Sequence, residues 1–118
     1  MNDVAVHYSK RQDVSEEVRS GSRILHLRTL NNWVKFTLIH EYAPPQSRVL
    51  DLACGKGGDL KKWKEQRPVE YVGVDIAEGS IHDALRRFKE IPGVTFPARF
   101  AVANLGTCDL SKWLDPVC

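Results

Sequence analysis

The sequence has no long apolar run, no large excess of one charge and no closely spaced cysteines, and each absence removes a class of function. Without an apolar stretch of about 20 residues, nothing in it reads as a membrane-spanning helix, and no signal-peptide apolar core is legible near its start. A formal charge of +2 is too small to announce a nucleic-acid surface, so such a claim must come from local clustering. Cys54, Cys108 and Cys118 are odd in number and lack Cys-x-x-Cys spacing, which argues against a zinc knuckle and for a reducing compartment. His7, His26, His40 and His82 are scattered without ligand-like pairing, so neither a metal site nor a histidine base is expected. There is no internal repeat and no low-complexity tract. The remaining composition, 42% hydrophobic and 27% charged, is that of an ordinary single domain able to bury one core.

What is present is a strand, a glycine turn, a helix and a second strand ending in a carboxylate. The apolar run Val49–Leu52 predicts a buried strand, and Gly55, Gly57 and Gly58 supply backbone freedom for a sharp turn into a helix starting near Asp59. Tyr71-Val-Gly-Val-Asp75 predicts the neighbouring strand, with Asp75 at its tip, where a carboxylate can accept from both hydroxyls of a ribose. Asp51 decides between ligands. A dinucleotide site needs room for a pyrophosphate there, and Asp51 would repel it; a cofactor with an ammonium and a sulfonium beside adenosine would welcome it. A phosphate loop is excluded because Gly-Lys-Gly-Gly-Asp has no Ser or Thr after its lysine and lacks the required glycine spacing. S-adenosylmethionine is therefore favoured over NAD or ATP. The competing reading is a strand-to-helix turn that holds no ligand.

Residues 1–22 are polar and irregular and are read as an N-terminal arm. From Arg23 to about Tyr42, apolar residues step by three or four, predicting a helix that lays one stripe on the sheet, with Trp33 and Phe36 widening its buried face. Pro44-Pro45 ends it. Asn31-Asn32 is locally costly in mid-helix, and an interruption over 29–32 accounts for it as well as a ligand does. Ala77–Phe88 predicts another helix with Ile81, Ala84, Leu85 and Phe88 inward, and Arg99–Asn104 a third strand. The basic run from Lys56 through Lys61, Lys62 and Lys64 reads on spacing alone as the solvated face of an amphipathic helix.

Several of these segments together resemble the eukaryotic mRNA cap guanine-N7 methyltransferases: Val4-Ala-Val-His-Tyr8, Ser22 to Lys35 with its Asn-Asn-Trp-x-Lys element, and Val49 to Trp63 with Cys-Gly-Lys-Gly-Gly-Asp-Leu. The resemblance implies an α/β, Rossmann-like methyltransferase fold, a parallel sheet with flanking helices. It implies transfer of a methyl group from S-adenosylmethionine to N7 of the mRNA cap, in the nucleus, with capped mRNA and capping-complex proteins as partners. Residues 23–118 would be the first, cofactor-binding half of the domain. At about 30 residues per βα unit, roughly a hundred more residues would be needed, so the chain is expected to be truncated and inactive alone.

The resemblance also assigns roles. Lys35 would meet the methionine end of the cofactor, Ala53, Cys54 and Gly55 would line it through backbone contacts, Asp75 would hold the ribose and Asn104 would face the adenine; Asp51 joins this set from the charge argument. Asn31 and Asn32 would contact the cap, and Lys56, Lys62 and Arg87 would surround its phosphates, reversing the solvated reading of the basic run. No residue is assigned a catalytic acid, base or nucleophile. Two positions depart from the family: Ala53 replaces a usual glycine, a strain if its φ is positive, and Asn104 replaces a usual aspartate, losing a charge-assisted bond. Two other readings stay open: a methyltransferase for a small molecule sharing Lys35 and Asp75, and a non-catalytic binding fragment.

Overall fold

The computed structural model describes residues 24–112, so the arm expected over 1–22 lies outside the described residues. Within them the chain runs α1 (Leu25–Tyr42), β1 (Arg48–Leu52), α2 (Leu60–Gln66), β2 (Glu70–Asp75), α3 (Glu78–Glu90) and β3 (Ala98–Val102), then a short 3-10 turn at Leu110–Lys112. The three strands form a parallel sheet in the order β1-β2-β3. Parallel strands require crossover connections, and α2 and α3 are those crossovers. The register sets Asp51 against Gly73 and Asp75 against Val102.

Alternation along the strands sorts the side chains into two faces. One carries Val49, Tyr71, Ala98 and Phe100 and is covered by Leu60 and Trp63 of α2, Phe88 of α3 and Phe96. Tyr71 is the hub of this layer: it is fully buried, and its ring lies 5.8 to 6.4 Å from those of Trp63, Phe96 and Phe100 in tilted geometries. The opposite face has a thinner cover, with Val72 and Val74 buried against Ala103, Cys108 and Leu110. Leu50 and Leu52 of that face are 39% and 52% exposed.

The predicted elements are all present with shifted ends, and four details differ. First, α1 does not lay its apolar stripe on the sheet: no residue of it is buried, and Trp33 is 64% exposed. It is held against α2, by Lys35 on Asp59 and by His40 Nδ1 lying 3.2 Å from the amide of buried Gln66. The 3.6-residue period identified an apolar face, but period does not say which surface meets it. Second, α1 runs unbroken through Asn31 and Asn32. Thr29 and Thr37 return their hydroxyls to the carbonyls of Leu25 and Trp33 at 2.9 and 2.8 Å, which satisfies those groups within the helix. Third, β3 ends at Val102, so Asn104 stands in the following turn. Fourth, Leu85 sits at the rim of α3, while Ile81 and Ala84 are buried. Before Pro44, Ala43 takes the extended backbone that a proline imposes on its predecessor and so closes α1.

Candidate functional site

The loop from Ala53 to Asp59 lies between the ends of β1 and β2, and its shape comes from three left-handed residues. Ala53, Gly55 and Gly57 have φ of 59°, 58° and 78°. Gly57 cannot carry a side chain, because a Cβ there would stand 2.6 Å from Leu60 Cδ1 and 3.2 Å from the Ala84 backbone. Glycine at this point lets the loop close onto α3. Ala53 holds its left-handed conformation at a cost of roughly 1–2 kcal/mol, so the strain expected at this departure from the family is realised. The neighbouring Cys54 donates its N–H to the carbonyl of Val74 at 3.0 Å, extending the sheet by one bond.

Asp75 fastens the loop to the strand beside it. Its Oδ2 accepts from the Gly55 N–H and its Oδ1 from the Ala77 N–H, both at 2.9 Å. Each carboxylate oxygen has a second lone pair, so Asp75 can still accept from a ligand placed over the loop. Asp51, two residues before Ala53, accepts from the Tyr71 hydroxyl at 2.6 Å through Oδ2. Burial pushes the Asp51 carboxyl above its ordinary range; the Tyr71 hydroxyl opposes that, Asp59 and Asp75 add to it, and Lys35 opposes it. Burial, with the charges of Asp51 and Asp75, pushes the Cys54 thiol up to about 12. The two carboxylates therefore act on one small space, and Cys54 lies between their fields.

Asp59 is the node of the site's basic side. It accepts from Lys62 at 2.8 Å and from Lys35 at 3.3 Å, joining α1 to the start of α2. Burial pushes its carboxyl up, but the bonds and charges of Lys62 and Lys35 outweigh burial and hold it below its ordinary value. Asn31 and Asn32 precede Lys35 by four and three positions, so all three share one face of α1, and both asparagines are exposed.

The expected basic residues separate into two settings. Lys56 pairs with Asp83 at 3.5 Å and Lys62 with Asp59, and both side chains are mostly covered. Arg87 instead lines a cleft of about 480 Å³ between α2 and α3, together with Gly57, Gly58, Lys61, Glu90 and Ile91. The cleft thus brings Lys61 to Arg87, where the resemblance pointed to Lys62. Asn104 is committed to its own turn: its Oδ1 accepts from the Gly106 N–H at 2.9 Å and its carbonyl from Cys108 at 2.8 Å. Among the described residues, no group of three or more His, Cys, Asp or Glu side chains could hold a metal ion.

Sequence reasoning missed Tyr71, Asp59 and Asp83 as members of the site. Tyr71 was legible in principle, since strand alternation puts it on the face of Asp51 and Gly73. Asp59 was seen as a helix start, and its side chain makes no capping bond because the two lysines take it. Nothing in the spacing of Asp83 distinguished it from a solvated helix residue.

Three comparisons bear on this arrangement. The family model for the mRNA (guanine-N(7))-methyltransferase domain matches residues 1–116. The mRNA cap guanine-N(7) methyltransferase 1 of Oryza sativa subsp. japonica is 50% identical over 117 residues, and that of Arabidopsis thaliana 46% over 119; the alignments cover 94% and 95% of this chain and 32% of each relative. The chain therefore spans about a third of the length of those relatives. The solved geranyl diphosphate C-methyltransferase of Streptomyces coelicolor A3(2) superposes with a TM-score of 0.59 at 18% identity, covering 87% of this chain and 46% of that one. At that identity the likeness shows the fold alone, which is the Rossmann-like methyltransferase fold. With the glycine loop, both strand-end carboxylates and the Asn-Asn-Trp-x-Lys helix lying inside the matched region, the chain belongs to the mRNA (guanine-N7) methyltransferase family.

Proposed function

We propose that this chain is the cofactor-binding part of an enzyme that transfers a methyl group from S-adenosylmethionine to N7 of the guanosine cap of nascent mRNA. Residues 1–22 serve as an N-terminal arm and 23–118 as the opening part of the catalytic domain. The enzyme works in the nucleus, on capped transcripts and beside other capping proteins. The observation that carries the reading is the convergence of Asp51, Asp75 and the Lys35–Asp59 pair on one glycine loop.

The residues present suit that cofactor. Asp75 keeps lone pairs for the ribose hydroxyls, and Asp51 offers a carboxylate to the cationic methionine end. Lys35 is 54% exposed in its side chain, so its pairing with Asp59 is weak enough to yield to a cofactor carboxylate. Ala53, Cys54 and Gly55 present backbone to the same moiety. Asn104 faces the adenine, its amide oxygen the acceptor for the adenine amino group. Asn31 and Asn32, one turn before Lys35, are the cap contacts; Lys56, Lys62 and Arg87 form the basic surround for the triphosphate, with Lys56 and Lys62 contributing weakly because Asp83 and Asp59 already pair with them.

When bound, S-adenosylmethionine supplies a methyl carbon on a sulfonium. Guanine N7 has a lone pair and no proton, so this chain supplies no general base. Its residues hold the reacting groups in line, which can contribute about 7–11 kcal/mol, and present fixed dipoles to charge that moves toward the guanine ring. The test is binding of labelled S-adenosylmethionine and a cap analogue, and methyl transfer to capped RNA, by this chain and by a longer form in which it is joined to the rest of the catalytic domain of the Oryza sativa relative. Cofactor and cap binding in the longer form, with N7 methylation, is the expected result. Methylation of a small acceptor with none of the cap, or binding of neither ligand in either form, would overturn the assignment.

A further inference from the structure

Asp51 and Tyr71 form a pair whose role goes beyond holding the fold. Tyr71 is anchored by the aromatic layer beneath the sheet and is 0% exposed, so its hydroxyl is a fixed donor. It spends that donor on Asp51 Oδ2 at 2.6 Å. Among the described residues no hydrogen bond reaches Asp51 Oδ1, so that oxygen keeps its acceptor capacity, and Asp51 as a whole is only half-buried. We propose that Tyr71 is a positioning residue for cofactor recognition: its hydroxyl fixes the Asp51 carboxylate in one rotamer and keeps Oδ1 for the cofactor's cationic end.

A phenylalanine in this place would fill the same aromatic slot, so the hydroxyl does something that packing does not require. It stabilises the ionised form of a carboxylate that burial disfavours. The other charged or titratable groups facing Asp51 are Asp75 from β2, Cys54 and Asp59 from the loop, and Lys35 from α1. Of these, only Lys35 also favours the anion, and it is shared with Asp59. The inference rests on Asp51 receiving the cofactor's cation, as proposed above.

The test is Tyr71→Phe in this chain and in the longer form completed from the Oryza sativa relative, with the Asp51 carboxyl followed by carbon NMR and S-adenosylmethionine affinity measured against pH. The expected result is an Asp51 titration displaced upward. Affinity should fall about tenfold where Asp51 is ionised, as loss of one hydrogen bond to a charged group predicts, and by more on the acid side, where the raised titration leaves less carboxylate. In an Asp51→Asn background the same change should have less than about a threefold effect, because the two residues act as a unit. An unmoved Asp51 titration overturns the proposal, as does an affinity loss equal at every pH and equal in both backgrounds. If the titration moves and neither form binds S-adenosylmethionine at any pH, the cofactor role of the pair fails while the Asp51–Tyr71 coupling stands.

Discussion

The carboxylate of Asp75 bridges two loops, accepting from Gly55 N–H on one side and Ala77 N–H on the other at 2.9 Å each. The residue expected to bind ribose is thus also the clamp that shapes the turn beneath it. Under the proposed function, structure and recognition share one side chain, and substitutions at Asp75 report on both.

Asp75→Ala frees two backbone N–H groups and should cost about 2–4 kcal/mol in urea denaturation. S-adenosylmethionine affinity should fall sharply in calorimetry. Asp75→Asn keeps one acceptor for the loop and should recover about half of the lost stability. Unchanged cofactor affinity in the alanine variant would contradict the placement.

Ala53 is left-handed without being glycine. Ala53→Gly removes that strain, and after the added freedom of the unfolded chain is subtracted the gain should be about 0.5–1 kcal/mol. A higher thermal midpoint checks this. Cofactor affinity should rise as well, since the variant restores the family's usual residue next to the ligand.

Asp51 sets a pH dependence of definite sign. Burial raises its carboxyl in the folded chain, so between the ordinary carboxylate value and the raised one the folded state binds more protons than the unfolded. Stability therefore declines as pH rises through that window and stays lowered above it. Asp51→Asn should remove this decline and stabilise the fold at neutral pH while weakening the cofactor. Denaturant midpoints measured from acid to neutral pH distinguish this from Asp59→Asn. There the folded carboxyl is held down, so the parent's extra stability is present above the ordinary value and lost as pH falls.

Cys54, pushed up to about 12, stays a thiol at pH 8. Its alkylation by iodoacetamide should be tens of times slower than that of a free cysteine, allowing for the greater nucleophilicity of a more basic thiolate. Peptide mapping after timed labelling measures this. Rapid labelling would place Cys54 outside the field of the two carboxylates.

The cleft predicts an order among the basic residues. Lys61→Ala should flatten the salt dependence of capped-RNA binding, by about 0.7 in log–log slope per lost phosphate contact. Lys62→Ala should change the slope less, because Asp59 already neutralises that lysine. Fluorescence titrations at several salt concentrations give the slopes.

The linear chain carried the strand–turn–helix–strand unit, the acid at each strand end and the glycine turn, because hydrophobic period and backbone freedom are local properties. The resemblance in Asn-Asn-Trp-x-Lys and Cys-Gly-Lys-Gly-Gly-Asp-Leu pointed to the family and so to the proposed reaction. It could not tell where α1 rests, since an amphipathic stripe has the same period whether it meets a sheet, a helix or a missing partner. Nor could it tell which lysine is spent on which carboxylate: Lys35 and Lys62 meet on Asp59, and Lys56 goes to Asp83. Those pairings, the Tyr71 hydroxyl on Asp51 and the left-handed backbone of Ala53 arise when distant segments are packed together. A charge or hydroxyl acquires its role from what burial places within about 3 Å of it, and that distance is a property of the folded chain.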